Sequence, residues 1–242
     1  MRILVISDIH ANKTAFDAVL ESAGKYDEVW CLGDTVGYGP DPNECIALLR
    51  TQPKLTCLIG NHDAAALGNI DLNTFNREAR SSAHWTQKVL NDESREFLLQ
   101  LPERAIIDSV TLAHGSPRSP VWEYLLDPTS AYENLAYFNT ELCFIGHTHI
   151  PIVFFQPENQ DEMIGELIKD GDGLVVEGRM FINPGSVGQP RDHDPRAAYA
   201  IFNPETHSWQ SHRVAYDIQS VQNRMRQAGL PSRLIHRLEE GW

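Results

Sequence analysis

A chain of 242 residues, 42% of them hydrophobic, is long enough to bury a substantial core, as one large α/β unit or two small ones. Its 33 acidic and 20 basic residues leave a net charge of −13, which argues against extended nucleic acid as a partner unless cations held by the carboxylates invert the sign locally. No apolar run approaches the ~20 residues of a membrane span. The N-terminal run breaks at Asp8, too early for a secretion signal, so a cytoplasmic location is expected.

Residues 2–7 read as a buried strand and residues 12–24 as a helix with Phe16, Val19, Leu20 and Ala23 on one face. A second strand at 28–32 leads into a turn-rich stretch. Asp41-Pro42-Asn43-Glu44 then gives a helix start, with Asp at the N-cap and Pro as the first helical residue. That helix runs to about Gln52, and residues 54–60 form a third strand. The β-α-β-α-β order implies parallel strands with right-handed crossovers. Residues 62–101 read as helical, with Asn73 or Thr74 and Asp92 as N-caps. Strands at 105–108 and 110–114 precede a helix from Asp127-Pro128 with Tyr132, Leu135 and Ala136 inward, then a strand at 142–146. From Ile152 onward short strands dominate (152–156, 162–168, 173–176, 179–182, 197–203 and 208–214), which predicts a largely antiparallel second sheet. The acidic stretch 157–172 is ambiguous and compatible with a long hairpin. Helices near 217–228 and 231–240 close the chain. One domain over residues 1–242, with two sheets face to face and helices outside, accounts for the pattern. Cys31, Cys45, Cys57 and Cys143 include no CxxC pair and read as buried free thiols.

Groups of metal-ligand type stand where predicted strands end. They are Asp8 and His10 in SDIH, Asp34 in LGD, Asn61 and His62 in GNHD, His114 in AHG, and His147 and His149 in GHTH. Loops at the carboxyl ends of parallel strands converge on one crevice. In extended chain, Asp8 and His10 project to the same side, as do His147 and His149. Glycines 33, 60, 115 and 146 let the backbone turn beside them. Carboxylate and amide oxygens mixed with imidazoles suit Mn, Fe, Zn or Ni. Singly, each piece is an ordinary turn. Five such pieces, each directly after an apolar strand, are not explained as independent turns.

At these residues the chain resembles the calcineurin-like metallophosphoesterases, whose pattern runs D-x-H, G-D, G-N-H-[DE], H and G-H-x-H. Here Asp8-Ile9-His10, Gly33-Asp34, Gly60-Asn61-His62-Asp63, His114 and Gly146-His147-Thr148-His149 stand in that order. INPGSVGQPRD (182–192) is similar to a segment of small prokaryotic phosphodiesterase-type members. The resemblance implies an α/β fold, a four-layer α/β/β/α sandwich of two mixed sheets. It implies two divalent transition-metal ions, manganese first among Mn, Fe, Zn and Ni. Asp8, His10, Asp34 and His149 would hold one ion, and Asp34, Asn61, His114 and His147 the other. A hydroxide between the ions would attack phosphorus in line, with Asn61 nearby and His62 protonating the leaving oxygen.

The protein-phosphatase branch carries Asp-Arg-Gly where this chain has Gly37-Tyr38-Gly39, so the residues that orient the catalytic His and grip phosphate there are missing. A small phosphodiester substrate is therefore expected, with a phosphomonoester or phosphoprotein as alternatives. Arg191 is the candidate for meeting the substrate's charge. Its equal alternative is a surface arginine balanced by Asp192 and Asp194. Asn183 is either a loop-shaping residue or a site contact, and Tyr38 and His84 are candidates for the cleft wall. A non-catalytic scaffold reusing the fold tends to lose ligands, and here all are present. A metallo-β-lactamase-type site needs H-x-H-x-D-H, which Ile150-Pro151-Ile152 breaks.

Overall fold

A computed structural model describes residues 1–157 and 162–242. β1 (Ile3–Ile6) is apolar throughout and buried on both faces, as a strand covered from two sides must be. α1 (Lys13–Ala23) starts at Asn12, whose Oδ1 accepts from Ala15 N at 3.1 Å, and it buries Phe16, Val19 and Ala23. β2 (Glu28–Cys31), α2 (Pro42–Arg50) and β3 (Thr56–Cys57) complete the parallel β-α-β-α-β unit. α3 (Asn61–Leu67), α4 (Arg77–Val89) and α5 (Asp92–Leu99) follow, then β4 (Arg104–Ile107), β5 (Val110–Ala113), α6 (Pro128–Asn134) and β6 (Leu142–Phe144). The remainder is β7 (Ile152–Phe155), β8 (Ile164–Leu167), β9 (Gly173–Val175), β10 (Met180–Asn183), β11 (Ala197–Asn203), β12 (Ser208–Val214), α7 (Ile218–Gln227) and α8 (Ser232–Glu240).

Two mixed six-stranded sheets result, ordered β3-β2-β1-β11-β12-β9 and β4-β5-β6-β10-β7-β8. They pack face to face. Ile3 and Val5 of β1 point into the shared core, while Leu4 and Ile6 point outward onto α1. On the far side, Cys143, Phe154 and Phe181 meet Ala131 and Phe138 around α6. The layers are therefore α/β/β/α. Phe144 anchors the interface between the sheets, its ring 6.0 Å from Trp30, 5.1 Å from Phe202 and 4.9 Å from Trp209. All four cysteines are buried and free. Among the described residues no helix is long and apolar enough to cross a membrane.

Several local expectations are corrected. The late strands do not form one antiparallel sheet. β9, β11 and β12 extend the first sheet through an antiparallel β1–β11 pairing, while β10 enters the second sheet parallel to β6. Short apolar runs define strands without naming their neighbours. The third strand shrinks to Thr56–Cys57 at a sheet edge. Helices α4 and α5 are capped by Asn76 and Asn91, each accepting from the backbone three residues on, and not by Asn73, Thr74 or Asp92. Asp41 makes no cap hydrogen bond, because its carboxylate is engaged by Arg224 at 2.9 Å. In α6 the buried residues are Ala131 and Asn134, while Tyr132 and Ala136 face solvent. β7 and β8 pair antiparallel, so Ile164–Leu167 of the acidic stretch forms one arm of a hairpin, while the part of that expectation on residues 158–161 lies outside the described residues.

Phe144→Ala removes the ring that the second sheet inserts among three aromatics of the first. It is expected to cost about 3–5 kcal/mol in denaturant unfolding.

Candidate metal centre

β1, β2 and β3 run parallel in one sheet, and β5, β6 and β10 in the other. Their carboxyl ends meet at one edge of the sandwich, and every motif residue follows one of them. One constellation joins Asp8, His10, Asp34 and His149, and a second joins Asp34, His114 and His147; within each, ligand-type atoms lie within 4.8 Å of one another. Asp34 belongs to both. Asn61 Oδ1 lies 3.2 Å from His114 Nε2, which puts it with the second group. All of these side chains are buried.

The two carboxylates are held alike. Asp34 Oδ1 accepts from His62 N at 2.8 Å, and Asp8 Oδ2 accepts from His147 N at 3.0 Å. Their other oxygens, Asp34 Oδ2 and Asp8 Oδ1, are buried without a hydrogen-bond donor. Asp34 Oδ2 lies 3.3 Å from His114 Nε2 and 3.6 Å from His10 Nε2, and Asp8 Oδ1 lies 3.3 Å from His149 Nε2. The imidazoles are oriented from behind. The Nδ1 atoms of His10, His114 and His149 face the carbonyls of Val36, Leu32 and Gln189 at 3.1, 2.9 and 2.5 Å. A carbonyl only accepts, so each Nδ1 carries a proton and each Nε2 points inward, as a free lone pair in the neutral rings of His10 and His149. Those nitrogens crowd together, with His10 Nε2 3.0 Å from His149 Nε2 and His114 Nε2 3.1 Å from His147 Nδ1. Buried, half-satisfied carboxylates facing inward-directed nitrogen lone pairs are a donor set for divalent cations.

The electrostatics agree. Burial alone would raise both carboxyls, yet the imidazoles, His149 foremost for Asp8 and His114 for Asp34, hold them below the usual range. Burial keeps His10, His147 and His149 below the ordinary imidazole value, so they are neutral. For His114 burial also acts downward, but Asp34 and then Asp8 outweigh it and lift the ring to about 9. The two carboxylates thus demand nearby positive charge.

The backbone account of these motifs is corrected. Asp8, His10, Asp34, His147 and His149 are not extended; they have φ of 54°, 49°, 53°, 66° and 63°. Left-handed backbone at a non-glycine residue costs about 1–2 kcal/mol. It is held here by bonds between loops: Asp8 N to Gly33 O at 3.0 Å, His10 N to Asp34 O at 3.0 Å and Gly188 N to Asp8 O at 2.9 Å. Gly60 and Gly146 are required for room more than for turning. A Cβ on Gly60 would collide with Asp34 Oδ1, and one on Gly146 with Ser7 Oγ.

His62 opens α3, and its ring lies 4.2 Å from Tyr38, 5.0 Å from His10 and 5.0 Å from Phe75. Its Nδ1 is buried without a partner, so no carboxylate orients it. Burial first, and then Arg191, bring its pKa down to about 4 against the pull of Asp34. Asp63 instead holds backbone, accepting from Gly60 N and Val36 N at 3.0 and 2.9 Å. Arg191 reaches Gln189 Oε1 at 3.0 Å and Tyr38 OH at 3.4 Å. Asp192 pairs with Arg213 and Asp194 with Arg196, so neither neutralises Arg191. Asn183 shapes a loop: its Nδ2 donates to Gly146 O and Thr148 Oγ1, and its Oδ1 accepts from Gly185 N. Tyr38 lines the site, whereas His84 lies exposed on α4.

Sequence reasoning missed Gln189, which supplies the carbonyl behind His149, and Tyr124, whose ring stacks on His147 at 3.8 Å. The only signal for Tyr124 was an apolar–polar alternation in VWEYLL.

Residues 1–207 match the calcineurin-like phosphoesterase superfamily domain. The chain is 38% identical over 245 residues to an uncharacterised protein of Methanocaldococcus jannaschii, covering 98% of this chain and 96% of that one. It is 47% identical to a metallophosphoesterase from Sphaerobacter thermophilus of known crystal structure, with a TM-score of 0.92 and coverage of 100% and 99%. A hypothetical protein from Pyrococcus horikoshii OT3 is 20% identical and shares the fold, with a TM-score of 0.79 over 100% of this chain and 98% of that one. With its buried Asp/His cluster, the chain therefore belongs to the calcineurin-like phosphoesterase superfamily and is a metal-dependent phosphoesterase.

Proposed function

We propose that the protein is a two-metal phosphodiesterase acting on a small phosphoester, working in the cytoplasm with manganese first among Mn, Fe, Zn and Ni. The observation that carries this is Asp34 Oδ2, buried and without a donor, standing in both constellations at once. Asp8, His10, Asp34 and His149 would hold one ion, and Asp34, Asn61, His114 and His147 the other. Two divalent cations held by these residues would supply positive charge for an in-line displacement at phosphorus and would lower the pKa of a water.

This chain's residues do the rest. The carbonyls of Val36, Leu32 and Gln189 keep the imidazoles in the tautomer that presents Nε2. Arg191, uncompensated by either neighbouring aspartate, meets one phosphoryl oxygen, and its single charge matches that of a diester. His62 delivers a proton to the leaving oxygen. In the free protein its ring is neutral, and the arriving anionic phosphoester raises its pKa again. No carboxylate bonds its Nδ1, so the ring's position is set by packing against Tyr38, His10 and Phe75.

Asp34→Asn is expected to lose metal and turnover together, read by metal analysis alongside a chelator-controlled diesterase assay. Full activity with two metals per chain would refute the shared-ligand role. His62→Gln should keep its metals yet lose roughly a hundredfold or more in turnover on substrates with poor leaving groups. An unchanged rate on such a substrate removes His62 as the acid. Arg191→Met should lower kcat/KM about tenfold to a hundredfold, the value of a charged hydrogen bond to phosphate. Steady-state kinetics showing no change would return Arg191 to a surface role.

A further inference from the structure

Residues 121–126 (VWEYLL) lie between β5 and α6 and alternate strictly between inward and outward. Val121 and Leu125 are buried. Glu123 turns inward, where Ser116 Oγ donates at 2.5 Å and Asn134 Nδ2 at 3.0 Å, and Arg118 closes a salt bridge. This anchoring forces the alternate side chains out, so that Trp122, Tyr124 and Leu126 are 38%, 47% and 57% exposed. The pinned loop thus holds three large side chains where a ligand can reach them.

The position of the loop says for what. Tyr124 lies on His147 at 3.8 Å with an interplanar angle of 23°, and Arg191 adjoins its hydroxyl. Trp122 stands edge-on to Phe75 at 5.5 Å, and Phe75 stands edge-on to His62 at 5.0 Å. The two rings therefore flank the ligand cluster, with Trp122 on the side of the residue that protonates the leaving group. Trp122 also walls an open groove of about 300 Å3, in which Ile59, Ala64 and Ile70 supply apolar surface and Asn69, Ser119 and Glu103 supply polar groups.

We infer that Trp122 and Tyr124 form a stacking platform for a planar base carried by the leaving group, so that the substrate is a nucleotide-type phosphoester and not an alkyl or sugar ester. The inference rests on the phosphoesterase reading above. Stacking needs no charge on the protein, and so it works in a chain of net charge −13, whose average field repels a long polyanion. It favours a short substrate, with one base on the platform and the phosphate at the cluster beside Arg191.

The test compares two diesters with the same scissile bond: a dinucleoside monophosphate, and its analogue with an abasic sugar as the leaving group. In the manganese-loaded protein kcat/KM should be roughly tenfold or more higher for the base-bearing diester. Trp122→Ala should bring that ratio close to one, and Trp122→Phe should restore most of it. Separately, adenosine should quench the tryptophan emission of chelator-treated protein, and Trp122→Ala should abolish the quench. A ratio of one in the unaltered protein, or a ratio that Trp122→Ala leaves intact, overturns the platform. So does a dimer that Trp122→Ala splits without changing the ratio, which would make the loop an interface between copies. If no phosphoester is cleaved with any metal, the phosphoesterase reading fails instead, and the adenosine quench alone decides the platform.

Discussion

Asp8 and Asp34 each bury a carboxylate in which one oxygen is tied to a backbone N–H and the other is left free, and the surrounding structure is built about those two free oxygens. A buried, incompletely paired carboxylate is costly unless positive charge comes to it. Here the neighbouring imidazoles present neutral nitrogens, and only His114 is lifted far enough to carry a proton at neutral pH. The centre is arranged for cations. Asp34 is the hinge of that arrangement, because among the described residues it alone belongs to both constellations.

Holding such a centre open requires stiffness, and the strained backbone shows where it resides. The non-glycine residues with positive φ include Asp8, His10, Asp34, His147 and His149, which are ligand-type residues at three strand ends. No single loop stabilises this conformation by itself. The loop after β1 borrows acceptors from the loop after β2, and the loop after β10 returns donors to Asp8 O. The second sheet adds Gly146 N to His114 O at 2.8 Å. Strain at a functional site persists only when its surroundings over-determine it, and the convergence of two sheets provides that.

The rim is built on the same logic with weaker forces. Glu123 ties the 121–126 loop down through three partners, and a period-two alternation does what a strand would do, sending one set of side chains to the core and the other to the mouth of the site. Tyr38 serves both sides, packing on His10 and His62 while its hydroxyl receives Arg191. The inner site is therefore imidazole and carboxylate, and the outer site is aromatic with a guanidinium.

The cluster of ligand-type residues was legible in the sequence because each residue follows an apolar strand, and strand ends of one direction share an edge of a sheet. Asp8, His10, Asp34, Asn61, His114, His147 and His149 came together as their spacing implied, and so did the two-sheet sandwich. The backbone geometry of the cluster was not legible. An Asp-x-His in extended chain and one in left-handed backbone have the same letters, and only the neighbouring loops choose between them. Strand partnership was hidden too, since β11 could not announce from its own residues that it would pair with β1. Tyr124 and Gln189 reach the site through loops fixed by tertiary contacts, and a backbone carbonyl such as that of Gln189 leaves no mark on residue type. Local sequence specifies which groups are available and which runs are buried. Their mutual distances come from packing between segments far apart in the chain, and those distances turn a list of polar residues into a site for cations.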